Sequence, residues 1–190
     1  VTPTWQRHRT VLERCVPSVV AQTYPCIEHV VVSDGPDLDL KLQMRLQWPH
    51  VLYGEVGEHD TQARWGHWAR LKGIEMSTGP YIAYLDDDNA FRPGHLESVV
   101  DAMESANADF GYSVGLYHPP GGSEYPVGME PPVYGQIDTS LIVHKRELLG
   151  TAGTWEQSLP TIDWDLVARW MGAGASWAFV PYVTMDYYFT

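Results

Sequence analysis

Apolar and polar positions follow two periods along this chain, and the period switches in a regular order. Thr2-Pro3-Thr4 closes a first short strand. Leu12, Cys15, Val16 and Val19 then fall at i, i+3, i+4 and i+7, the stripe of an amphipathic helix. Pro17 lies inside that stripe and predicts a kink or a late start. Residues 28–33 read as a strand that stops at Ser33-Asp34-Gly35-Pro36, a turn signal. A short helix over 38–46, a strand over 51–56 and a helix over 62–76 follow, the last ended by Thr78-Gly79-Pro80. Tyr81-Ile82-Ala83-Tyr84-Leu85 has the length and composition of a buried strand and breaks off in Asp86-Asp87-Asp88-Asn89.

Pro93 stands where a helix likes to begin, and Leu96, Val99, Val100 and Met103 carry the helical spacing onward. Residues 109–117 read as a strand. The segment 118–132 holds five prolines, reads as irregular, and is long for a plain connection, which favours a binding or active-site loop. Residues 137–143 form a strand candidate; Leu166, Val167 and Trp170 mark a late helix; 175–180 and 183–188 read as two closing strands. Strand and helix alternate through the first half, which predicts an α/β protein with a mainly parallel sheet, while the second half is more mixed. With no internal repeat and no low-complexity linker, the 190 residues read as one domain.

The acidic end of the apolar run changes the picture. Open α/β sheets bind ligands at the carboxyl edge of their strands, where these acids would lie. Three adjacent carboxylates repel one another unless a cation sits among them, and an oxygen-only set suits Mg²⁺ or Mn²⁺ together with substrate phosphates. The competing reading is a solvated acidic turn. Net charge is −12, from 12 basic and 24 acidic residues, which disfavours nucleic acid or an anionic membrane surface as partner. An anionic substrate would then need local relief from a metal or an arginine. No apolar stretch approaches the roughly 20 residues that span a bilayer. There is no secretory signal pattern at the start, and the first residues already read as the end of a strand, as though a few leading residues were missing. Cys15 and Cys26 form no metal or redox motif and fit a reducing cytoplasm as small apolar fillers, a disulfide between them remaining open. The 8 tryptophans and 11 tyrosines suit sugar faces as well as a core.

Four separated pieces, taken together in their order, resemble the family 2 glycosyltransferases. They are Val1-Thr2-Pro3-Thr4 with 22–35; Ala69-Arg70-Leu71-Lys72-Gly73-Ile74 running into 78–82; Leu85-Asp86-Asp87-Asp88-Asn89, similar to the family's Asp-x-Asp metal motif; and Asp163-Trp164-Asp165-Leu166, similar to its late acidic motif. The resemblance implies the GT-A fold, a Rossmann-like α/β arrangement with a mixed, mainly parallel sheet flanked by helices. It implies a donor half over about 1–89 and an acceptor half over about 90–190. The implied activity is inverting transfer of a sugar from a nucleotide diphosphate sugar, a uridine diphosphate (UDP) sugar above all, to an acceptor hydroxyl, with Mn²⁺ or Mg²⁺ as cofactor. The acceptor is unspecified, a homo-oligomer is open, and the setting is cytoplasmic.

By the same resemblance, Pro3 and Thr4 line the base and ribose end, and Asp34 accepts a hydrogen bond from the base. Arg70 faces the nucleotide or its diphosphate. Asp86 holds the ribose or an outer-shell water and supports the metal, Asp87 joins the nucleotide-sugar site, and Asp88 binds the metal directly. Asp163 is the general base. Each has a plainer reading. Asp34 also fits an Asp-Gly turn, Arg70 a surface ion pair, and Asp163 the cap of the late helix, with Asp165 as an alternative cap. His67 and Arg64 lie one helical turn apart, within reach of phosphates or merely at the core edge. Trp5 stacks on a ligand or only packs, and His144 reads as structural. The late motif commonly begins Glu-Asp; Ile162 here leaves Asp163 alone as base. A sugar-1-phosphate nucleotidyltransferase would call for a glycine-rich basic loop after the first strand, and Trp5-Gln6-Arg7-His8-Arg9 holds no glycine. A non-catalytic sugar-binding module and a retaining transferase complete the alternatives.

Overall fold

The computed structural model describes residues 1–59, 66–156 and 162–189. Strands β1 (Thr2–Thr4), β2 (Val30–Ser33) and β3 (Leu52–Glu55) pair in parallel in the order β1-β2-β3. Strand β4 (Tyr81–Ala83) continues that surface: the Val1 nitrogen donates to the Ala83 carbonyl at 2.8 Å, and Leu85 N–H donates back to the Val1 carbonyl at 3.1 Å. Beyond β4 the order is β4-β8-β6-β9-β5, with β8 (Ile142–Lys145), β6 (Phe110–His118), β9 (Trp177–Tyr188) and β5 (Ala90–Phe91). Here the pairing is mostly antiparallel, only β6 and β9 running parallel. The fold is thus α/β with a mixed sheet flanked by helices, and the mainly parallel character holds for its first half only.

The first helical stretch combines α1 (His8–Thr10), a π-helical turn (Val11–Cys15) and α2 (Val16–Val20). Val16 N–H reaches back five residues to the Val11 carbonyl. That widened turn absorbs Pro17, which has no N–H to give and whose ring would crowd a regular turn. Helix α3 (Leu38–Gln47) starts under an Asp37 cap that accepts from Leu40 N–H at 3.0 Å. Helix α4 (His67–Met76) lies on β1 and β2. Gly73 permits this closeness, since a Cβ there would meet Val1 Cγ1 at 2.4 Å. The expected helix from 62 onward is described only from His67; Arg64 falls outside the described residues. Helix α5 (His95–Ala106) buries Leu96, Val99, Val100 and Met103 against β6 and β9, as their spacing requires. Helices α6 (Leu148–Ala152) and α7 (Ile162–Gly172) close the main core, where Leu166, Val167 and Trp170 are fully buried.

Several sequence expectations need correction. Residues 118–132 are not wholly irregular: β7 (Tyr125–Val127) pairs antiparallel with β6. It is an edge strand, the place where a residue without N–H such as Pro126 is tolerated. The two closing strands are one, β9, whose pairing with β6 jumps from Tyr112–Phe179 to Val114–Val183. Pro181 sits in that bulge, where a missing donor costs no ladder bond. The strand expected over 137–143 begins only at Ile142, after a 3₁₀ turn at Thr139–Leu141. Cys15 is buried, but Cys26 is exposed, and both are free thiols. Among the described residues, no helix is long and apolar enough to cross a membrane.

Candidate active site

Because β8 is antiparallel to both β4 and β6, and β9 is parallel to β6, the carboxyl ends of β1, β2, β4, β6 and β9 share one edge of the sheet. Thr4, Asp34, Asp86, His118 and Tyr188 all emerge there. The apolar cavity of about 250 Å³ beneath Val1, Tyr24 and Tyr81 opens at the other edge and takes no part in this site.

At the β1–β2 end, Asp34 is buried and its N–H donates to the Thr4 carbonyl at 2.8 Å. Nδ1 of His59 lies 3.1 Å from Asp34 Oδ2, and its ring stacks on Trp5 at a centroid distance of 4.4 Å. Gly35 is required: its φ is +132°, and a Cβ would meet the Trp5 ring at 2.7 Å. Trp5 therefore packs on protein through one face. Pro3 and Thr4 are buried beside this cluster.

The acids after β4 form a tight turn in which Asn89 N–H donates to the Asp86 carbonyl at 3.1 Å. Arg70 is only 3% exposed and donates from Nη2 to Asp86 Oδ1 at 2.7 Å, its guanidinium 5.1 Å from the Trp155 ring. It is not a surface ion pair. Burial pushes the Asp87 carboxyl up to about 7, against the opposing pull of the Thr4 hydroxyl and the Arg7 guanidinium. The Asp88 carboxylate pairs with Arg7 Nη1, while Arg14 Nη1 donates to the Asp88 carbonyl at 2.7 Å and the Arg14 guanidinium carbon lies 3.9 Å from the centroid of the Tyr188 ring. Sequence reasoning passed over both arginines. His67 is buried, and burial together with the nearby Arg70 charge lowers its pKa.

On the other side stand Asp138 and Asp163. Asp163 lies in the first turn of α7, where its Oδ1 accepts from Trp164 N–H at 2.8 Å. Burial raises its pKa, with Asp86 adding to the rise and Arg70 opposing it. Asp165 is not a cap; it pairs with Arg169 at 2.8 Å one turn on. Asp138 was missed. It accepts from Ser140 N–H at 2.9 Å and from the Tyr117 phenol, and burial together with Asp86 and Asp163 raises its pKa. Ser140 ties this group to the acid turn, its hydroxyl oxygen accepting from Asp86 N–H at 3.2 Å and from Asn89 Nδ2 at 3.3 Å. Tyr117 stacks on Tyr187 at 4.2 Å, and Tyr125 and Phe189 extend the aromatic row into solvent. His144 is structural, buried and 2.8 Å from the Tyr84 hydroxyl.

Pro3, Thr4, Asp34, Arg70, Asp86, Asp87, Asp88 and Asp163 are thus brought to one edge of the sheet. Among the described residues, no three His, Cys, Asp or Glu side chains are grouped closely enough to hold a metal ion by themselves. Mg²⁺ and Mn²⁺ sites commonly take only one or two protein carboxylates and leave the rest to water and substrate phosphates. Asp88, an all-oxygen ligand already facing a guanidinium, fits a cation on those terms.

Comparison with known proteins agrees with this architecture. The profile described as "Glycosyl transferase family 2" matches residues 1–149, and the chain belongs to that family. It is 35% identical over 91 residues to a glucosyl-dolichyl phosphate glucuronosyltransferase of Haloferax volcanii, covering 47% of this chain and 28% of that protein. It is 26% identical over 118 residues to a putative teichuronic acid biosynthesis glycosyltransferase, TuaG, of Bacillus subtilis, covering 60% of this chain and 44% of that one. These relatives are therefore much longer than the region they share. In structure it superposes on S. aureus TarS 1–349 in complex with UDP-GlcNAc with a TM-score of 0.79 at 13% identity, over 100% of this chain and 57% of that one. The mannosyltransferase PcManGT of Pyrobaculum calidifontis, in complex with GDP-Man and Mn²⁺, gives 0.74 at 17% identity, over 97% and 55%. These superpositions establish the GT-A fold.

Proposed function

We propose that the chain moves a sugar from a nucleotide diphosphate sugar, a UDP-sugar by preference, to an acceptor hydroxyl with inversion at the anomeric carbon. The observation that carries this is the convergence of three unlike groups on one sheet edge: a buried carboxylate at Asp34 beside the Trp5–His59 stack, an acid turn with buried arginine support, and a carboxylate at Asp163 whose pKa burial raises. Residues 1–89 form the donor half and 90–190 the acceptor half of a single domain.

In this reading Pro3 and Thr4 flank the base, and Asp34 accepts the uracil imide N–H. Arg70 holds Asp86 in place and lends positive charge beneath the diphosphate. A divalent cation on Asp88, with Asp86 in support, would offset the charge that gathers on the leaving diphosphate. Asp163 takes the proton of the acceptor hydroxyl as that oxygen attacks the anomeric carbon from the face opposite the nucleotide. The C–O bond to the diphosphate breaks as the new glycosidic bond forms, so configuration inverts. Asp138 sits beside Asp163, and the row of Tyr117, Tyr125, Tyr187 and Phe189 offers flat faces to an acceptor carrying sugar rings. Two unbridged cysteines suit a cytoplasmic setting.

The test is nucleotide release from a panel of UDP-, GDP- and ADP-sugars with Mn²⁺, read together with calorimetric binding of the free diphosphates. UDP should bind most tightly, and far better with Mn²⁺ than with a chelator. Equal affinity in both conditions would remove the metal from the mechanism, and preference for GDP would overturn the assignment of the base.

A further inference from the structure

The turn between β1 and α1 is built at a cost. Gln6 has a φ of +54°, one of two non-glycine residues with positive φ among those described. A side chain held in the left-handed region is strained, and such residues cluster at functional sites. The turn delivers Arg7 at the start of α1 to the acid turn, some eighty positions away in the chain. Its Nη1 pairs with Asp88 Oδ2 and lies 3.9 Å from Asp87 Oδ1.

Arg7 and Arg14 do different work on the same turn. Arg14 fixes the backbone, donating to the Asp88 carbonyl and resting on Tyr188. Arg7 meets the carboxylate itself, at the position where the proposed function puts a cation. Its side chain is 39% exposed against 16% for Asp88, so the guanidinium approaches from the solvent side on a flexible stem. The incoming diphosphate must approach from that same side if it is to share a cation with Asp88.

We infer that Arg7 is the resident counter-ion of Asp88 in the donor-free protein and passes to the diphosphate when a divalent cation and the nucleotide bind together. This rests on the proposed function and adds a residue to it. Three neighbouring carboxylates in a chain of charge −12 repel one another, and Arg7 offsets that repulsion while the site waits. A planar guanidinium matches phosphate with two parallel N–H donors as well as it matches carboxylate. The exchange therefore leaves no charge stranded: Asp88 trades one cation for another, and Arg7 trades one anion for another. Arg7 then stays with the leaving group as its charge grows.

The inference makes two affinities move in opposite directions, which a purely structural role would not do. In Arg7→Gln, Mn²⁺ alone should bind several-fold more tightly, because its competitor is gone. UDP at saturating Mn²⁺ should bind roughly tenfold more weakly, because the diphosphate has lost a charged donor pair. Arg7→Lys should return Mn²⁺ affinity to near the parent value and recover only part of the UDP affinity, since an ammonium competes for Asp88 but lacks the fork. Mn²⁺ binding is read by electron paramagnetic resonance and UDP binding by calorimetry, with no turnover required. Two affinities that stay put, or that shift in the same direction, would overturn the role of Arg7. If UDP bound the parent protein equally well with a chelator, the metal reading itself would fall, and the exchange with it.

Discussion

Arg70 Nη2 lies 2.7 Å from Asp86 Oδ1, joining a guanidinium that is 3% exposed on α4 to a carboxylate that is 27% exposed at the tip of β4. One partner is fully desolvated and the other faces the site. The pair therefore fixes where the acid turn sits and leaves one side of Asp86 open.

Arg70→Gln should destabilise the protein by about 3 kcal/mol, the low end for breaking a buried pair, since Asp86 can still be reached by water. Asp86→Asn in the same background should cost less than it does alone, with a coupling of about 1–3 kcal/mol. Urea unfolding of the two single variants and the double variant measures it. Strict additivity would show that the contact carries no energy of its own.

Asp88→Asn should lower turnover by at least about 10²-fold, the usual scale for losing one major electrostatic contributor at a reacting centre. The fold should survive, because Arg14 grips the Asp88 backbone carbonyl and not its side chain. Nucleotide release and far-UV circular dichroism check the two halves of this statement. Near-parental turnover would move the principal ligand to Asp86 or Asp87.

Asp163→Asn should reduce transfer by roughly 10²–10⁴ while leaving UDP affinity unchanged, because a general base acts only as the acceptor attacks. Burial holds the Asp163 pKa above its ordinary 3.8. The base must be ionised, so activity should rise with pH as it passes through that elevated value, and the acid limb should vanish in the variant. Nuclear magnetic resonance of the product should show a β linkage from an α-linked donor. A retained configuration would leave Asp163 without this role.

Two buried histidines should each withdraw stability as pH falls below neutrality, a loss that the raised carboxyl pKa values of Asp87, Asp138 and Asp163 oppose over the same range. His95 and His144 are buried, 2.7 Å from the Thr184 hydroxyl and 2.8 Å from the Tyr84 hydroxyl, and burial pushes them down from 6.5 to about 3 and about 4. Their folded pKa values lie below the unfolded one, so the unfolded chain binds more protons as pH drops. The stabilisation is whole above about 6.5 and is lost progressively toward 4, by about 1.4 kcal/mol per pH unit for each histidine. Urea midpoints from pH 7 to 4 test this. His95→Phe, which keeps a ring against Phe91 (4.0 Å between centroids), should flatten the slope. An unchanged slope would mean that other groups set it.

The sequence was legible where a single residue type carried its own signal. The switch from Leu85 to Asp86 marks the acid turn, which two residues separate from the end of β4, and Leu96, Val99, Val100 and Met103 could serve only a helix packed on one face. It was illegible where a residue's meaning depended on a distant partner. Arg7 was given no role, because nothing local says that Gln6 turns left-handed. Asp138 was read through as part of a strand; the signal available was an Asp two residues before Ser140, a cap for a short turn. Pro126 and Pro181 argued against regular structure, yet an edge strand and a bulge each accept a residue with no donor.

The acid turn is fastened from an unexpected direction. Asn89 is wholly buried, and its Oδ1 accepts the Tyr188 N–H at 3.0 Å, across 99 positions of sequence. Arg92 N–H likewise donates to the Thr184 carbonyl at 2.8 Å. During synthesis, then, Asp86, Asp87 and Asp88 leave the ribosome long before the strand that holds them in register. A nascent chain halted between residues 89 and 188 carries the acids without the Tyr188 hydrogen bond that fastens their turn, so the proposed donor site is completed abruptly and only once β9 has been made.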